Sequence, residues 1–434
     1  MPELEKYNLL KCVKRGVSPR HTVAYSREFL EACGFTEIGL QDSWALERGK
    51  GYYTAVYESA LCAFWIPAAY EAGMPARIAA AHTDWPCLKV KTQPEMSEGR
   101  YEKLNVEVYG GPIYYSWLDR PLSLAGIAYI TGEDGPRPVL IDFKRPLAVI
   151  PSLAIHYNRE VNTSLSLNAQ EDLQPLLDVL PKDWKKDGFF ARMVAEEAGA
   201  DPEDLLSWDL NFYNMDEPVF FGEHTELLSA PRLDNLTSVQ ACLSAIARTA
   251  QESAETFCLS MLFDNEEVGS NTKQGADSQI MKLILEKIQY AFHGTPSDTI
   301  DTLLGGILLS CDVSHAIHPN KASLNDPTHK NFPGDGVAIK MTSTQRYATD
   351  ARMLALAESV CRTMEIPHMS FYNRSDIRGG STLGSMLSAN LGMRAMDLGV
   401  PILGMHSSRE LMAVSDQDAL TDLIFGLFVS ILPK

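Results

Sequence analysis

The chain has 434 residues, of which 45% are hydrophobic and 22% are charged. This composition is typical of a globular protein, and a chain of this length can bury a large core without crosslinks. The net charge of −18 argues against nucleic acid as a partner, because binding nucleic acid requires clustered lysine and arginine to neutralise phosphates.

The N-terminal residues lack the apolar core of a secretion signal, and the longest mostly apolar run, residues 60–70, is too short to span a bilayer. The eight cysteines form no C-x-x-C pair, and several lie in apolar runs. This pattern predicts reduced thiols in the core of a cytosolic protein. We therefore expect a cytoplasmic protein with no membrane partner.

The middle of the chain differs in pattern from both ends. From about residue 91 to residue 221 the apolar runs are short and separated by turn signals, with strand-like runs at 139–143 and 147–150. We expect a β-rich domain, residues 92–221, inserted into a larger domain that comprises residues 1–91 and 222–434.

The larger domain alternates between helical and strand-like patterns. Apolar residues recur at helical spacing in 238–251, 277–293, 349–364, 381–398 and 419–432. Short apolar runs lie at 76–81, 257–263, 306–311, 337–341, 368–372 and 401–405. Strands that alternate with helices predict an α/β fold with a mostly parallel central sheet flanked by helices.

Polar side chains follow several of these strand-like runs. In open α/β sheets, ligands bind beyond the carboxyl ends of the strands. The run 76–81 is followed by His82 and Asp84, 257–263 by Glu266 and Glu267, 306–311 by Asp312 and then His315 and His318, and 401–405 by His406, while Asp234 precedes the helix at 238. We therefore expect five segments to deliver carboxylates or imidazoles to one edge of one sheet.

Carboxylates packed closely repel one another and take up protons unless a cation holds them. Imidazole and carboxylate ligands together suit zinc, and also cobalt or manganese. Asp84 is well placed to orient His82, and one of Glu266 and Glu267 could bind metal while the other acts as a general base. Each motif alone has an ordinary structural explanation as a turn, a strand end or a helix cap. Their conjunction favours a metal site.

At these residues the sequence resembles the M18 family of metalloaminopeptidases, the aspartyl aminopeptidases, over nearly the whole chain. Eight motifs follow the family's order: A-H-T-D-W-P-C-L-K-V-K (81–91), I-P-S-L-A-I-H (150–156), A-P-R-L-D-N-L (230–236), F-D-N-E-E-V-G-S (263–270), S-C-D-V-S-H-A-I-H-P-N (310–320), Q-R-Y-A-T-D (345–350), G-G-S-T-L-G (379–384) and L-G-M-H-S-S-R-E (403–410). The resemblance implies a zinc-exopeptidase type of α/β fold.

The resemblance also implies a ligand set for two divalent ions per subunit, zinc with cobalt or manganese as alternatives. One ion would be held by His82 and Asp312, and the other by Glu267 and His406. Asp234 would bridge both, Glu266 would be the general base, and Asp84 would orient His82.

Further implied roles concern substrate and assembly. His156, on the inserted domain, would reach the site of a neighbouring subunit and stabilise the tetrahedral intermediate. Lys340 would lie near the acidic side chain of the substrate, with His315 and Gly380 also in the substrate site. The family forms homo-oligomers, either dimers built through the inserted domain or tetrahedral dodecamers. The resemblance therefore implies a dimerisation or lid role for residues 92–221 and a catalytic role for residues 1–91 and 222–434.

The implied reaction is hydrolysis of the N-terminal residue, Asp or Glu, from peptides. Two departures from the family pattern bear on this preference: Trp85 replaces a small residue, and Arg378 with Gly379 replaces the common Pro-Cys. A broad-specificity neutral aminopeptidase is therefore one alternative, and a non-catalytic assembly or peptide-binding protein on the same fold is another. A deacylase or carboxypeptidase would need a site for an acyl group or free carboxylate, for which the sequence offers no specific residues.

Overall fold

The structure is a computed structural model that describes residues 2–181 and 188–431 of the chain. These residues form two compact units. The first unit comprises the described residues within Met1–Asp84, Val219–Met405 and Glu410–Lys434. The second comprises those within Trp85–Pro218, together with the short segment His406–Arg409. The dimerisation or lid role that the sequence predicts for residues 92–221 stays a prediction.

The helices of the described residues are α1 (Pro2–Arg15), α2 (Pro19–Ala32), α3 (Phe189–Glu197), α4 (Leu233–Gln251), α5 (Ile280–Ala291), α6 (Pro296–Leu304), α7 (Ala351–Met364), α8 (Leu383–Leu391) and α9 (Ser415–Val429). In that part of the chain, no helix is both long enough and apolar enough to cross a membrane.

The first ten strands are β1 (Thr36–Glu37), β2 (Lys50–Val56), β3 (Ala60–Ile66), β4 (Ala76–His82), β5 (Cys87–Glu98), β6 (Tyr101–Tyr109), β7 (Leu122–Gly132), β8 (Gly135–Asp142), β9 (Leu176–Val179) and β10 (Leu205–Asn214). The next ten are β11 (Val219–Phe221), β12 (Leu227–Ala230), β13 (Phe257–Phe263), β14 (Ile307–Cys311), β15 (Ser314–His315), β16 (Val337–Lys340), β17 (His368–Phe371), β18 (Arg394–Gly399), β19 (Pro401–Ile402) and β20 (Glu410–Ala413).

A nine-stranded sheet with the order β1-β2-β3-β13-β4-β14-β18-β16-β17 forms the centre of the first unit. β13, β4, β14 and β18 run parallel to one another. The strands on either side of this group are antiparallel to it: β3 pairs with β13, and β16 pairs with β18. Every residue of β4, β13 and β14 is buried. Continuous apolar strands of this kind are expected where helices cover both faces of a parallel sheet. The predicted α/β fold with a mostly parallel central sheet is confirmed.

The helix predicted at residues 381–398 is present only as α8, Leu383–Leu391, and its second half is wrong. α8 ends at Leu391 because Gly392 adopts the left-handed conformation, with a φ of 68°, that ends many helices. The chain then enters β18, which pairs with β14 in the large sheet.

The strand predicted at 401–405 also differs from the structure. β19 covers only Pro401–Ile402 and pairs with β15 in a separate two-stranded sheet. Proline has no N–H to donate to a ladder, and β18 already occupies the position beside β14. His406 therefore does not follow a strand of the large sheet, contrary to the expectation from the sequence.

The second unit is built on a six-stranded antiparallel sheet with the order β8-β7-β10-β5-β6-β9. The predicted β-rich character of this part of the chain is confirmed. Residues 147–150, predicted as a strand, make only isolated bridges to neighbouring segments. The buried core of this unit includes Leu104, Leu124, Ile127, Phe190 and Phe212.

Candidate metal centre

Three neighbouring strands of the large sheet end side by side and carry most of the predicted ligands. β4 lies between β13 and β14 and runs parallel to both. Because the carboxyl ends of parallel strands meet at one edge of a sheet, the residues that follow these strands come together. They are His82, Asp84, Glu266, Glu267 and Asp312.

His82 occupies the middle of this group and is only 1% exposed. Its Nδ1 atom lies 3.0 Å from the backbone carbonyl oxygen of Asp84. Because a carbonyl can only accept a hydrogen bond, Nδ1 carries a hydrogen, which leaves Nε2 as the atom that can bind either a second proton or a cation. Nε2 lies 3.5 Å from Oδ1 of Asp234 and 3.5 Å from Oδ1 of Asp312. This nitrogen therefore faces two carboxylates.

The carboxylate of Asp84 connects the ends of β4 and β13. It accepts the backbone N–H of Glu266 through Oδ1 and that of Glu267 through Oδ2, each at 3.1 Å. Its Oδ1 is 3.4 Å from Nδ1 of His82, which is farther than the carbonyl oxygen of the same residue. Asp84 therefore orients His82 mainly through its backbone, while its carboxylate fixes the turn that carries the two glutamates.

The two glutamates lie in one turn of 3₁₀-helix, Glu266–Val268. The turn begins after Asn265, which has a φ of 66°, and ends at Gly269, which has a φ of 96°. Successive side chains of a 3₁₀-helix point about 120° apart, since there are three residues per turn. Adjacent glutamates can therefore serve different purposes at the same strand end.

Asp234 reaches the group from the first turn of α4, which is irregular. Asp234 has a ψ of 103°, Asn235 has a φ of −124°, and the peptide bond between them is cis. The backbone N–H of Asp234 donates to Oε2 of Glu410 at 2.9 Å, and the side-chain amide of Asn235 donates to the carbonyl of Cys311 at 2.9 Å. Since Cys311 precedes Asp312, the second bond ties together the segments of both aspartates that face His82.

The electrostatics of this group favour protons or a cation. Burial raises the pKa of Glu266, which the nearby His82 opposes in part, and the neighbouring carboxylates raise it further. Burial and the carboxylate of Asp234 raise the pKa of Glu267 well above its usual range. Burial alone would lower the pKa of His82, but the surrounding carboxylates outweigh it and raise that pKa. A divalent cation would replace these protons.

The donor set fits a zinc ion. Two ligand atoms at about 2.1 Å from zinc in tetrahedral geometry lie about 3.4 Å apart, close to the two 3.5 Å separations around His82. Asp234 also places a carboxylate oxygen within 4.8 Å of one from Glu267. Ligand atoms of His82, Glu266 and Glu267 also lie within 4.8 Å of one another. Asp234 therefore lies near His82 and Asp312 as well as near Glu267.

His406, the fifth predicted ligand, lies in the segment His406–Arg409, which groups with the second unit. Its Nδ1 atom is 3.0 Å from the carbonyl oxygen of Gly111, and its own carbonyl accepts the N–H of Ile113. As in His82, a carbonyl at Nδ1 leaves the lone pair of Nε2 available, a common arrangement for metal-binding histidines. Its role as a ligand stays a prediction.

Lys340 lies beside one of the aspartates rather than at the surface. It is 1% exposed, and its Nζ atom donates to the carbonyl of Val313 at 2.9 Å and lies 3.6 Å from Oδ2 of Asp312. Burial alone would lower the pKa of Lys340, but Asp312 and other anionic neighbours raise it, so the ammonium keeps its charge.

Three further residues were predicted to act on substrate: His315 and Gly380 in binding it and His156 in catalysis. His315 is exposed at the end of β15, with its ring 6.3 Å from that of Phe371. Gly380 is exposed, and a Cβ atom there would meet nothing within 4 Å. His156 is exposed in a segment of the second unit without regular structure. The roles predicted for all three stay predictions.

The structure also draws attention to two residues to which the sequence analysis assigned no role in the site, Glu410 and Asn235. Both are buried and both bond to the segments that carry Asp234 or Asp312. Each lies inside one of the motifs quoted above, 230–236 or 403–410, so the motifs contained the signal. Hydrogen bonds to backbone groups of distant segments have no pattern in the sequence, so their partners could not be read from it.

A mostly parallel α/β sheet whose strand ends gather an imidazole and several carboxylates is typical of metal-dependent enzymes. The family described as "Aminopeptidase I zinc metalloprotease (M18)" matches residues 12–428. The chain therefore belongs to the M18 family and is a metal-dependent aminopeptidase. The resemblance noted from the motifs is confirmed.

Relatives and solved structures agree with this assignment. A probable M18 family aminopeptidase 2 of Clostridium acetobutylicum is 39% identical over 402 residues, which cover 92% of each chain. The structure is similar to Ape4 in its complex with Nbr1, with a TM-score of 0.94, 30% identity, and coverage of 98% of this chain and 86% of that one. It is also similar to the S. cerevisiae mApe1 dodecamer, with a TM-score of 0.85, 25% identity and coverage of 98% and 97%.

Proposed function

We propose that this enzyme removes an N-terminal Asp or Glu from peptides with a water activated by two divalent metal ions, preferably zinc, with cobalt or manganese as alternatives. One observation carries the proposal: Nε2 of His82 faces Oδ1 of Asp234 and Oδ1 of Asp312 at 3.5 Å each. Two further carboxylates with raised pKa values, Glu266 and Glu267, lie at the same sheet edge.

The proposed ligand set is the one that the family resemblance implies. His82 and Asp312 would hold one ion, Glu267 and His406 would hold the other, and Asp234 would be a ligand of both. Asp234 Oδ1 lies 3.5 Å from Nε2 of His82, and a carboxylate oxygen of Asp234 lies within 4.8 Å of one from Glu267, which supports its bridging position. Bound at such a site, divalent ions polarise a carbonyl and lower the pKa of water toward neutrality.

Glu266 is the proposed general base. It follows the same strand as the proposed ligand Glu267, and a carboxylate beside the site can accept a proton from the attacking water and return it to the leaving amine. Its backbone N–H is held by Asp84, so the position of the base is fixed relative to His82. His156 of the second unit would donate a hydrogen bond to the oxyanion in a neighbouring subunit.

The preference for an acidic N-terminal residue depends on Lys340, with His315 and Gly380 also in the substrate site. The ammonium of Lys340 lies 3.6 Å from Oδ2 of Asp312, a proposed metal ligand, and its positive charge would attract a substrate carboxylate. A second candidate is a broad-specificity neutral aminopeptidase. The observation that favours it is the engagement of the Lys340 ammonium with Val313 and Asp312, which competes with substrate.

We also propose a homo-oligomer, a dimer or a tetrahedral dodecamer, assembled through the second unit. Its irregular segment exposes apolar side chains, among them Leu153, Ile155 and Tyr157, the last at 83% exposure. Such side chains are typical of surfaces that become covered on assembly. A cytoplasmic location is supported by the eight cysteines, all of which are free thiols.

The adjacent glutamates allow a direct test. Glu266→Gln should keep its zinc and lose about 10²–10⁴-fold in kcat, because only the proton transfer is removed. Glu267→Gln should lose zinc as well as activity, because a ligand charge is removed. Zinc content is measured by elemental analysis, and kcat with Asp-, Glu-, Leu- and Ala-linked chromogenic substrates. If Glu266→Gln keeps its turnover, the proposed role of Glu266 is wrong.

A further inference from the structure

Glu410 is a buried carboxylate that has no part in the reaction as proposed. It is the first residue of β20 and is only 3% exposed. Its Oε2 atom accepts the backbone N–H of Asp234 at 2.9 Å. A buried carboxylate needs donors that hold its charge, and the backbone N–H of Asp234, a proposed metal ligand, is one of them.

The backbone at Asp234 depends on an acceptor from outside its own helix. The first N–H groups of an α-helix have no intrahelical partner. Here the first turn of α4 also departs from helical geometry at Asp234 and Asn235, and Arg232 before it has a φ of 61°. The helix therefore does not by itself fix the direction in which the Asp234 side chain leaves the backbone.

Glu410 is held firmly enough to supply that acceptor. β20 pairs with β12 in antiparallel register, and Glu410 lies opposite Ala230. The chain runs from Ala230 to Asp234 in four residues, so the ladder between β12 and β20 brings the carboxylate of Glu410 to this N–H. The position of the acceptor is thus set by strand pairing, which is more rigid than a loop contact.

We infer that Glu410 is a positioning residue for the metal centre. It holds the N–H of Asp234 so that the Asp234 carboxylate stays 3.5 Å from Nε2 of His82 and within 4.8 Å of a carboxylate oxygen of Glu267. The inference rests on the proposed function, in which Asp234 bridges two ions. Residues that orient metal ligands in this way affect metal affinity or activity by about 10–100-fold when they are changed.

The role requires an acceptor at a fixed distance rather than a negative charge. Glu410→Gln keeps a carbonyl oxygen at the same position, whereas Glu410→Asp shortens the side chain by one carbon–carbon bond of about 1.5 Å. Glu410→Ala removes the acceptor. Glutamine should therefore rescue what aspartate and alanine lose.

Asp416 provides a matched control in the same unit. It is 0% exposed, and its two carboxylate oxygens accept the N–H groups of Gly334 and Gly336 at 2.8 and 2.9 Å. It is therefore also a buried carboxylate bonded to backbone N–H groups, but it fixes a loop that carries no predicted ligand. Asp416→Ala should lower the midpoint of thermal unfolding without changing zinc affinity.

The experiment compares full-length wild type, Glu410→Ala, Glu410→Asp, Glu410→Gln and Asp416→Ala. Zinc affinity is measured by competition with a chromogenic chelator, and kcat and KM are measured at saturating zinc. We expect Glu410→Ala and Glu410→Asp to lose about 10–100-fold in zinc affinity and to have a lower kcat with little change in KM. Glu410→Gln should stay within about threefold of wild type.

Two results would overturn the inference. Glu410→Asp could keep wild-type zinc affinity and kcat, or Glu410→Gln could lose as much as Glu410→Asp. If Glu410→Ala does not fold, the aspartate and glutamine variants still decide the matter. Failure of the proposed function is distinguishable, because wild type itself would then bind no zinc or Asp234→Asn would keep full zinc affinity.

Discussion

The side-chain amide of Asn235 donates a hydrogen bond of 2.9 Å to the backbone carbonyl of Cys311. Both residues are fully buried. Asn235 follows Asp234 and Cys311 precedes Asp312, so this bond joins the two segments whose carboxylates face His82. The separation of the two aspartates therefore depends on a neutral side chain as well as on strand pairing.

Replacing Asn235 by alanine should loosen this connection. We expect Asn235→Ala to lower zinc affinity by about tenfold or more, as for other residues that support metal ligands, and to lower kcat measured with limiting zinc. Asn390→Ala is the matched control, because its amide also donates a side-chain hydrogen bond at 2.9 Å, to Asp277, but at the surface. Equal zinc affinities for the two variants would show that the Asn235 bond does not support the site.

Asp84 offers a second test of how the site is held. Its two carboxylate oxygens accept the N–H groups of Glu266 and Glu267. Asp84→Asn replaces one of these oxygens by an NH₂ group, which cannot accept a hydrogen bond. One of the two backbone N–H groups then loses its acceptor, so we expect kcat to fall about 10–100-fold. Kinetics at saturating zinc measure this effect.

The control for Asp84 is Asp298→Asn. The carboxylate of Asp298 also accepts a backbone N–H, that of Thr295, but at an exposed helix start. This variant should lower stability slightly and leave kcat unchanged. A wild-type kcat for Asp84→Asn would show that the Asp84 carboxylate does not position the two glutamates for catalysis.

The buried acids predict how the metal-free enzyme responds to pH. Burial and the neighbouring carboxylates raise the pKa of Glu266 from its ordinary 4.5 to about 8, and the pKa of Glu267 and that of His82 are also raised. These groups bind more protons in the folded state than in the unfolded state, so the stability that they contribute is greatest at low pH and is lost as pH rises through the raised values. The chelator-treated enzyme should therefore lose stability between about pH 5 and pH 8.

Zinc should reverse this dependence. The ligands must be deprotonated to bind metal, so zinc binding releases protons and strengthens as pH rises. Thermal unfolding between pH 5 and 8, with EDTA or with excess zinc, measures both effects. A chelator-treated enzyme that gains stability over this interval would contradict the proton assignment. Glu266→Gln should weaken the pH dependence, because it removes one of the titrating groups.

Much of the fold could be predicted from the sequence because parallel strands buried on both faces leave long apolar runs. β4, β13 and β14 are such strands, and each was found from its run alone. β18 was missed because residues 381–398 also have helical spacing, and the break depends on the left-handed Gly392. A single glycine within an apolar stretch is a weak signal for ending a helix.

The residues of the site also divide into those that the sequence could predict and those that it could not. Residues directly after buried strands, such as His82 and Asp312, could be placed together because strand direction brings them to one edge. Glu410 and Asn235 could not be assigned, because their roles depend on hydrogen bonds to backbone groups of distant segments. Strand register and loop geometry determine such contacts, and neither can be predicted from the types of the residues involved.

Lys340 decides between the two proposed substrate preferences. If its ammonium binds the acidic side chain of the substrate, Lys340→Met should lower the ratio of kcat/KM for Asp-linked over Ala-linked substrates by at least about tenfold, since truncating one partner of a buried charge pair costs about 2–5 kcal/mol. If Lys340 instead only neutralises Asp312, which lies 3.6 Å away, both substrates should lose equally. The control is Lys287→Met, because the Lys287 ammonium also donates to carbonyls, those of Leu40 and Asp42. A ratio that stays at the wild-type value in Lys340→Met would favour the broad-specificity enzyme.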